Sequence, residues 1–189
     1  MRYGPAYWID RHQRQGDHYV ARGGREKSWK EQRSAFGDFI ARNIARHRRA
    51  PTLALDFGCG PGRFADIIAA NADEYLGVDI IPQAMRNNPF PTSAEIPERF
   101  DALVAVVVFQ HIHDDAVIEE LGARLDPGGI AIIIDQTEEP NPGPHMCYRT
   151  PERVAELLGV DILTTRTRQK GELLGCWARV MQKPGFTPA

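Results

Sequence analysis

The chain has 189 residues, 42% of them hydrophobic and 25% charged, with a formal net charge of −2, which suits one globular domain and is short for two. The longest apolar run, DALVAVVVF at residues 101–109, falls far short of the roughly 20 residues needed to cross a bilayer, and the polar, aromatic start is unlike a signal peptide. Three cysteines, Cys59, Cys147 and Cys176, show no C-x-x-C spacing, so neither a disulfide framework nor a zinc site is supported.

Taken in order, residues 1–24 hold Tyr3, Tyr7, Trp8, Tyr19 and a Gly23-Gly24 break, which predicts a short helix and a loop whose aromatic side chains need a surface to cover. From Ser28 to about Arg48, Trp29, Ala35, Phe36, Phe39, Ile40 and Ile44 recur at helical period, predicting an amphipathic helix packed on a sheet and ended by Pro51. Residues 1–50 carry 12 Lys and Arg against 5 Asp and Glu, net +7, which leaves −9 for the remainder. Arg42, Arg46, Arg48 and Arg49 gather at the predicted helix C-terminus, where cations are favoured. The basic third is thus either a solvated helix face or a docking surface for an anionic partner.

TLALDF, residues 52–57, reads as a buried parallel strand, and RFADIIAANA spaces Phe64, Ile67, Ile68 and Ala72 along one helix face. Between them Gly58, Gly60 and Gly62 remove side chains where the backbone turns sharply, opening main-chain N–H groups at a helix start to a ligand. Cys59 inside the turn reads as a small packing residue. YLGVDI forms a second strand ending in Asp79, near the roughly 20-residue offset at which an acid meets ribose hydroxyls in nucleotide-binding βαβ units. Asp56 and Asp79 then face one cleft from adjacent strand ends.

IIPQAMRNN predicts a helical turn or two. In PFPTSAEIP, Pro89, Pro91 and Pro97 forbid a long interior strand, so a third strand is short or missing. FDALVAVVVFQHIHDD is the strongest strand signal, β-branched and continuous, and its end, Phe109-Gln110-His111-Ile112, points to the ligand crevice of a doubly wound sheet. Asp114 or Asp115 caps the next helix, which stops at a turn, Asp126-Pro127-Gly128-Gly129. IAIIID is a fifth strand ending in Asp135. In the loop 136–150, His145 and Tyr148 either contact a substrate or belong to a surface excursion. Thr150 caps a helix with Pro151 at its first position. VDILTTRTRQ and GELLGCWARVMQK alternate as a hairpin of edge strands, and PGFTPA is a tail.

The dinucleotide fingerprint needs a third glycine three residues after the second; Arg63 stands there, which disfavours a nicotinamide oxidoreductase. Instead, Asp56, Gly58, Gly60 and Gly62, an acid and three glycines at alternate positions, resemble the first motif of the class I S-adenosylmethionine-dependent methyltransferases. The Phe109-Gln110-His111-Ile112 end is similar to that family's fourth-strand ending, and the opening YWIDRHQRQGDHYVARGG resembles a group of small methyltransferases that begin with a Tyr-Trp pair and a nearby Arg.

The resemblance implies an α/β fold with a doubly wound, mostly parallel seven-stranded sheet and an N-terminal helical lid, in one domain spanning residues 1–189: a cap over 1–50, a cofactor-binding core over 51–183 and a tail over 184–189. It implies S-adenosylmethionine as cofactor, with Asp56, Gly58, Gly60 and Gly62 toward its amino-acid end, Asp79 at the ribose and Phe109 in the crevice. Relatives usually offer the adenine a side chain from a third strand; with only Thr92 to Glu95 here, Ile80 is the better stacking candidate. Trp8 and Arg11 either contact the cofactor as a lid or, for Trp8, merely anchor the first helix.

A sulfonium methyl is already electrophilic, so such an enzyme must chiefly align a nucleophile and exclude water, and it needs a base only for a hydroxyl or a protonated amine. His111 either is that base, or orients substrate, or hydrogen-bonds backbone at a strand-to-helix junction. The chain lacks the Asn- or Asp-Pro-Pro-Tyr of adenine methylation and the Pro-Cys of cytosine methylation, so methyl transfer to oxygen or nitrogen of a small molecule is expected. An anionic or nucleic-acid acceptor and a non-catalytic cofactor-binding module stay open. No metal and no membrane contact are expected, and the location expected is cytoplasmic.

Overall fold

The computed structural model describes residues 5–17, 26–47, 53–136, 145–168 and 172–179. Tyr3, Tyr19, the Gly23-Gly24 break, Arg48, Arg49, Pro51, loop residues 137–144 and the tail lie outside the described residues, as do the side chains of Trp29 and Ala35. The chain falls into two compact units, Met1–Ile96 and Pro97–Ala189.

In the first unit, helices α1 (Pro5–Gln15) and α2 (Glu26–His47) precede β1 (Leu53–Phe57), α3 (Ala65–Ala69), β2 (Glu74–Val78), α4 (Pro82–Met85) and β3 (Thr92–Ser93). The strands are parallel in the order β3-β2-β1. Ala54 and Leu55 are completely buried, as a strand covered on both faces requires. The helical period of α2 turns Phe39, Ile40 and Ile44 inward. It approaches α3 so closely that a Cβ on Gly37 would lie 2.7 Å from Ile67 Cδ1. Arg33 reinforces the approach by donating to both oxygens of Asp66, which holds that carboxyl below the usual carboxylate range. The third strand is present but only two residues long, pairing Thr92 and Ser93 with Gly77 and Val78, because the flanking prolines have no N–H to donate.

In the second unit come β4 (Phe100–Val106), a 3-10 turn (Phe109–His111), α5 (Asp115–Arg124), β5 (Leu125–Ile134), α6 (Pro151–Leu158), β6 (Asp161–Arg168) and β7 (Glu172–Arg179). Their order is β4-β5-β7-β6. β4 and β5 are parallel, whereas β7 runs antiparallel to both β5 and β6. Among the described residues five strands thus make parallel pairings, and β6 and β7 form the expected antiparallel hairpin, with only β6 at the edge and β7 between it and β5. Asp114 caps α5, accepting from the Ala116 N–H; Thr150 caps α6, which Gly159 ends in the left-handed region.

Two boundaries differ from expectation. β5 starts at Leu125 rather than Ile130: Phe100 pairs with Leu125 and Ala102 with Ile130, so the predicted Asp126-to-Gly129 turn is a bulge inside the strand. Gly128 has φ 74°, which only glycine adopts cheaply. β4 ends at Val106, three residues short of Phe109, because Val107 has φ 61°. A left-handed residue takes the chain out of the sheet, and for a β-branched side chain that conformation is strained.

Candidate functional site

The turn after β1 consists of left-handed residues that the sequence supplies as glycine: Gly58, Gly60 and Gly62 have φ of 76°, 51° and 83°. A side chain at any of them costs about 1–2 kcal/mol in backbone strain alone. At Gly62 a Cβ would also stand 2.6 Å from Asn88 Oδ1. The turn is pinned to the end of β2, where the N–H groups of Gly58 and Cys59 both donate to the Val78 carbonyl, at 2.7 and 3.1 Å.

Asp79 does more than end a strand. Its Oδ2 accepts from the Gly60 N–H at 2.8 Å and its Oδ1 from the Ile81 N–H at 2.9 Å, so one carboxylate fastens the glycine turn to the segment after β2. Burial raises its pKa above the usual range, opposed by the N–H groups of Ile81, Gly60 and Ile80 and by His12. Each oxygen retains a lone pair for a further donor.

Asp56 lies deeper, 4% exposed. Its Oδ2 accepts from the Tyr75 hydroxyl at 3.0 Å, Tyr75 accepts from Asn88 Nδ2 at 3.1 Å, and Asn88 Oδ1 accepts from the Phe90 N–H at 3.0 Å. Burial pushes Asp56 up to about 7, against the lowering effect of Tyr75 and Arg63. Burial beside Asp56 and Asp79 also raises the Cys59 thiol, which keeps it neutral and suits a packing role.

α1 lies against this region. Trp8 and Ile9 pack on Ile81 and Ala84, immediately after Asp79, and the Arg11 guanidinium stands 5.7 Å over the Trp8 ring while donating to the Tyr7 hydroxyl at 3.3 Å. Asn87 Nδ2 donates to both oxygens of Asp17, at 3.0 and 3.1 Å. Ile80 is 55% exposed beside a buried Ile81, an apolar surface in the position expected to stack. The first unit therefore gathers Trp8, Arg11, Asp56, Asp79, Ile80 and the three glycines around the ends of β1 and β2.

Phe109 and His111 belong to the second unit. The Phe109 ring is 1% exposed, a core position there. A chain of hydrogen bonds sets the His111 ring. The Gln136 N–H donates to Gln110 Oε1 at 2.8 Å, leaving Gln110 Nε2 to face His111 Nε2 at 3.3 Å, while His111 Nδ1 faces the His145 carbonyl at 3.3 Å. A carbonyl only accepts, so Nδ1 carries the proton and Nε2 is the basic atom. The His145 ring stacks on His111 at 5.6 Å. Tyr148 is half-buried in the same segment. Among the described residues, no group of three or more His, Cys, Asp or Glu side chains could hold a metal ion.

Asp135, at the end of β5, is 9% exposed, and neither of its oxygens has a hydrogen-bond partner. Burial pushes it up to about 8. Asp56 and Asp135 therefore hold protons in the folded state that the unfolded chain releases near 4. Their contribution is complete below that value and is lost as pH rises through about 7 and 8, which makes stability fall with pH. We expect the melting temperature to drop between pH 5 and pH 9, with a shallower drop in Asp135→Asn. Equal melting temperatures across that range contradict the assignment.

Sequence reasoning missed Tyr75, Asn88, Arg149 and the part played by the Gln110 amide. The Asp56–Tyr75–Asn88 chain is created by strand pairing and a turn, and no local pattern marks it. Gln110 lies within the Phe109-Gln110-His111-Ile112 strand ending, where its amide carries no spacing signal of its own.

Residues 28–172 match a family model described as a methyltransferase domain. Among curated proteins none matches. Solved structures similar to the chain include magnesium protoporphyrin IX methyltransferase from Synechocystis with bound S-adenosylhomocysteine, at 17% identity, covering 94% of this chain and 96% of that one, TM-score 0.68. Another is the N-methyltransferase NodS from Bradyrhizobium japonicum, at 16% identity, 83% and 99% coverage, TM-score 0.65. A third is phosphoethanolamine N-methyltransferase 1 from Haemonchus contortus, at 13% identity, 97% and 49% coverage, TM-score 0.69. The α/β fold with a parallel central sheet of five strands is that of these Rossmann-like enzymes.

Proposed function

The chain belongs to the methyltransferase-domain family and is an enzyme with S-adenosylmethionine as its cofactor; from that premise we propose that it methylates oxygen or nitrogen of a small-molecule acceptor. One observation carries the reading of the cofactor site: three left-handed glycines held to an acid, Asp79, whose carboxylate can still accept from a ribose hydroxyl. When bound, the cofactor supplies an electrophilic methyl group on a sulfonium. In this reading the turn at Gly58, Gly60 and Gly62, with Asp56 beneath it, receives the amino-acid end. Asp79 takes the ribose, Ile80 stacks on the adenine, and Trp8 and Arg11 roof the site. Phe109, buried in the second unit, anchors the turn that carries His111, which orients the acceptor and takes its proton where it has one to lose; His145 and Tyr148 contact the acceptor.

The named acceptors of the similar structures differ, a porphyrin in one and phosphoethanolamine in another, so they do not select one here. The net +7 of residues 1–50 favours an anionic acceptor. The family match runs through both compact units, which supports treating residues 1–189 as one methyltransferase domain. No helix among the described residues is long and apolar enough to cross a membrane. A cytoplasmic location belongs to the same reading and is favoured by three cysteines without disulfide spacing.

Asp79→Ala tests the site. Loss of charge-assisted hydrogen bonds worth roughly 1.5–3 kcal/mol should weaken S-adenosylhomocysteine binding by about one to two orders of magnitude, read by calorimetry. The parent should also prefer the natural ligand over an analogue lacking both ribose hydroxyls, and the variant should lose that preference. A variant that keeps it removes Asp79 from the ribose.

A further inference from the structure

Between β4 and α5 the backbone is held in an uncommon shape from two sides. Val107, at φ 61°, is tied to β5 by its N–H, which donates to the Ile134 carbonyl at 2.6 Å. Beyond it, the carbonyl groups of the 3-10 turn and its flank accept from Arg149. Its Nη1 reaches the Phe109 carbonyl at 3.0 Å and its Nη2 the Ile112 carbonyl at 2.7 Å. Asp115 holds that guanidinium at Nε, at 2.8 Å, and binds Arg153 as well. The 145–149 segment adds the Cys147 N–H, which donates to the Gln110 carbonyl at 2.6 Å.

The opposite pole of the turn faces Asp135. The N–H groups of Gln110, Phe109 and Val108 stabilise its charged form, although none reaches hydrogen-bond geometry with it. A cation at the carbonyl end of a turn and, once ionised, a carboxylate at its N–H end are both stabilised by the turn's dipole. A buried carboxyl left without a full hydrogen bond is costly for structure alone, and strained backbone persists where the surroundings over-determine it.

We propose that Asp135 is a positioning residue: with Arg149 on the carbonyl side, its carboxyl on the N–H side of the Phe109–His111 turn sets where the His111 ring stands. The proposal rests on the reading of His111 as the residue that meets the acceptor. Two states follow. Protonated, Asp135 leaves the three N–H groups weakly held; ionised, it draws them in and shifts the turn, and with it Gln110 Nε2 and His111 Nε2. Burial places that change at about 8, with Arg149 as the charged group that eases ionisation. His111 and His145, stacked on each other, are the titratable rings carried by the turn and by the segment that braces it.

The test needs no acceptor. Amide and histidine-ring NMR signals of the intact chain are followed from pH 5 to pH 9, with the His111 ring identified by its loss in His111→Gln. The amides of Val108, Phe109 and Gln110 should move together with a midpoint near 8, and the His111 ring signals should show the same inflection. In Asp135→Asn the shared inflection should vanish from the amides and from the His111 ring. Amides that stay still in the parent overturn the proposal even if the variant fails to fold, and so does an inflection that survives in Asp135→Asn. Failure of the His111 reading appears elsewhere, as methyl transfer undiminished in His111→Gln.

Discussion

Gly60→Val should abolish detectable binding of S-adenosylmethionine while the protein remains folded. Gly60 has φ 51°, a region in which a β-branched residue is a genuine outlier, and the strain is about 1–2 kcal/mol. A domain with 5–15 kcal/mol of stability survives that. The turn does not survive it unchanged: the Gly60 N–H lies 2.8 Å from Asp79 Oδ2, and moving the backbone breaks the bond that joins Asp79 to the glycine turn. Branched carbons also appear where a ligand approaches the main chain. Calorimetry on a variant with a cooperative melt decides it. Unchanged affinity in that folded variant removes the turn from the cofactor site. Gly60→Ala, with a smaller side chain, should give an intermediate loss.

His111→Gln should slow methyl transfer by roughly 10² to 10⁴ with cofactor affinity intact, the range for loss of a general base. The basic Nε2 faces Gln110 Nε2 at 3.3 Å, so to act it must exchange that amide for the proton of the acceptor. In the parent, the rate should rise with pH as the base gives up its proton; in the variant the rise should disappear. Glutamine keeps a hydrogen-bonding side chain, so a structural histidine gives a different signature: a lower melting temperature and a modest change in rate, equal at every pH. Superimposable pH profiles for parent and variant retire His111 as the base. An amine that arrives unprotonated needs no base, so the comparison requires an acceptor that carries a proton.

How much of this was legible depended on whether the physics leaves a mark in local sequence. The glycine turn did, because left-handed φ at three alternate positions demands the one residue without a Cβ. The caps at Asp114 and Thr150 did for a similar reason, since a short polar side chain before a helix satisfies an exposed N–H. The end of β4 did not. Val104 through Val108 has the composition of continuous strand, yet Val107 turns left-handed because the Ile134 carbonyl and the Arg149 clamp hold the backbone there, a tertiary demand that overrides propensity.

The deeper parts of the site were hidden for another reason. Tyr75 reaches Asp56 only because Ala54 pairs with Tyr75 across β1 and β2, a register no single strand reveals. Arg149 reaches the carbonyls of Phe109 and Ile112 from 40 and 37 residues away. The identity of Asp79 as an acid at a strand end was readable; its bonds to the N–H groups of Gly60 and Ile81 required the folded turn.

We propose that the ends of β1 and β2 form an S-adenosylmethionine site. A calorimetric titration of the intact chain with S-adenosylhomocysteine tests it most directly, with Gly60→Val run beside it. Saturable one-to-one binding to the parent, absent in the variant, is the predicted result; a flat titration of the folded parent, or equal binding by both, contradicts it.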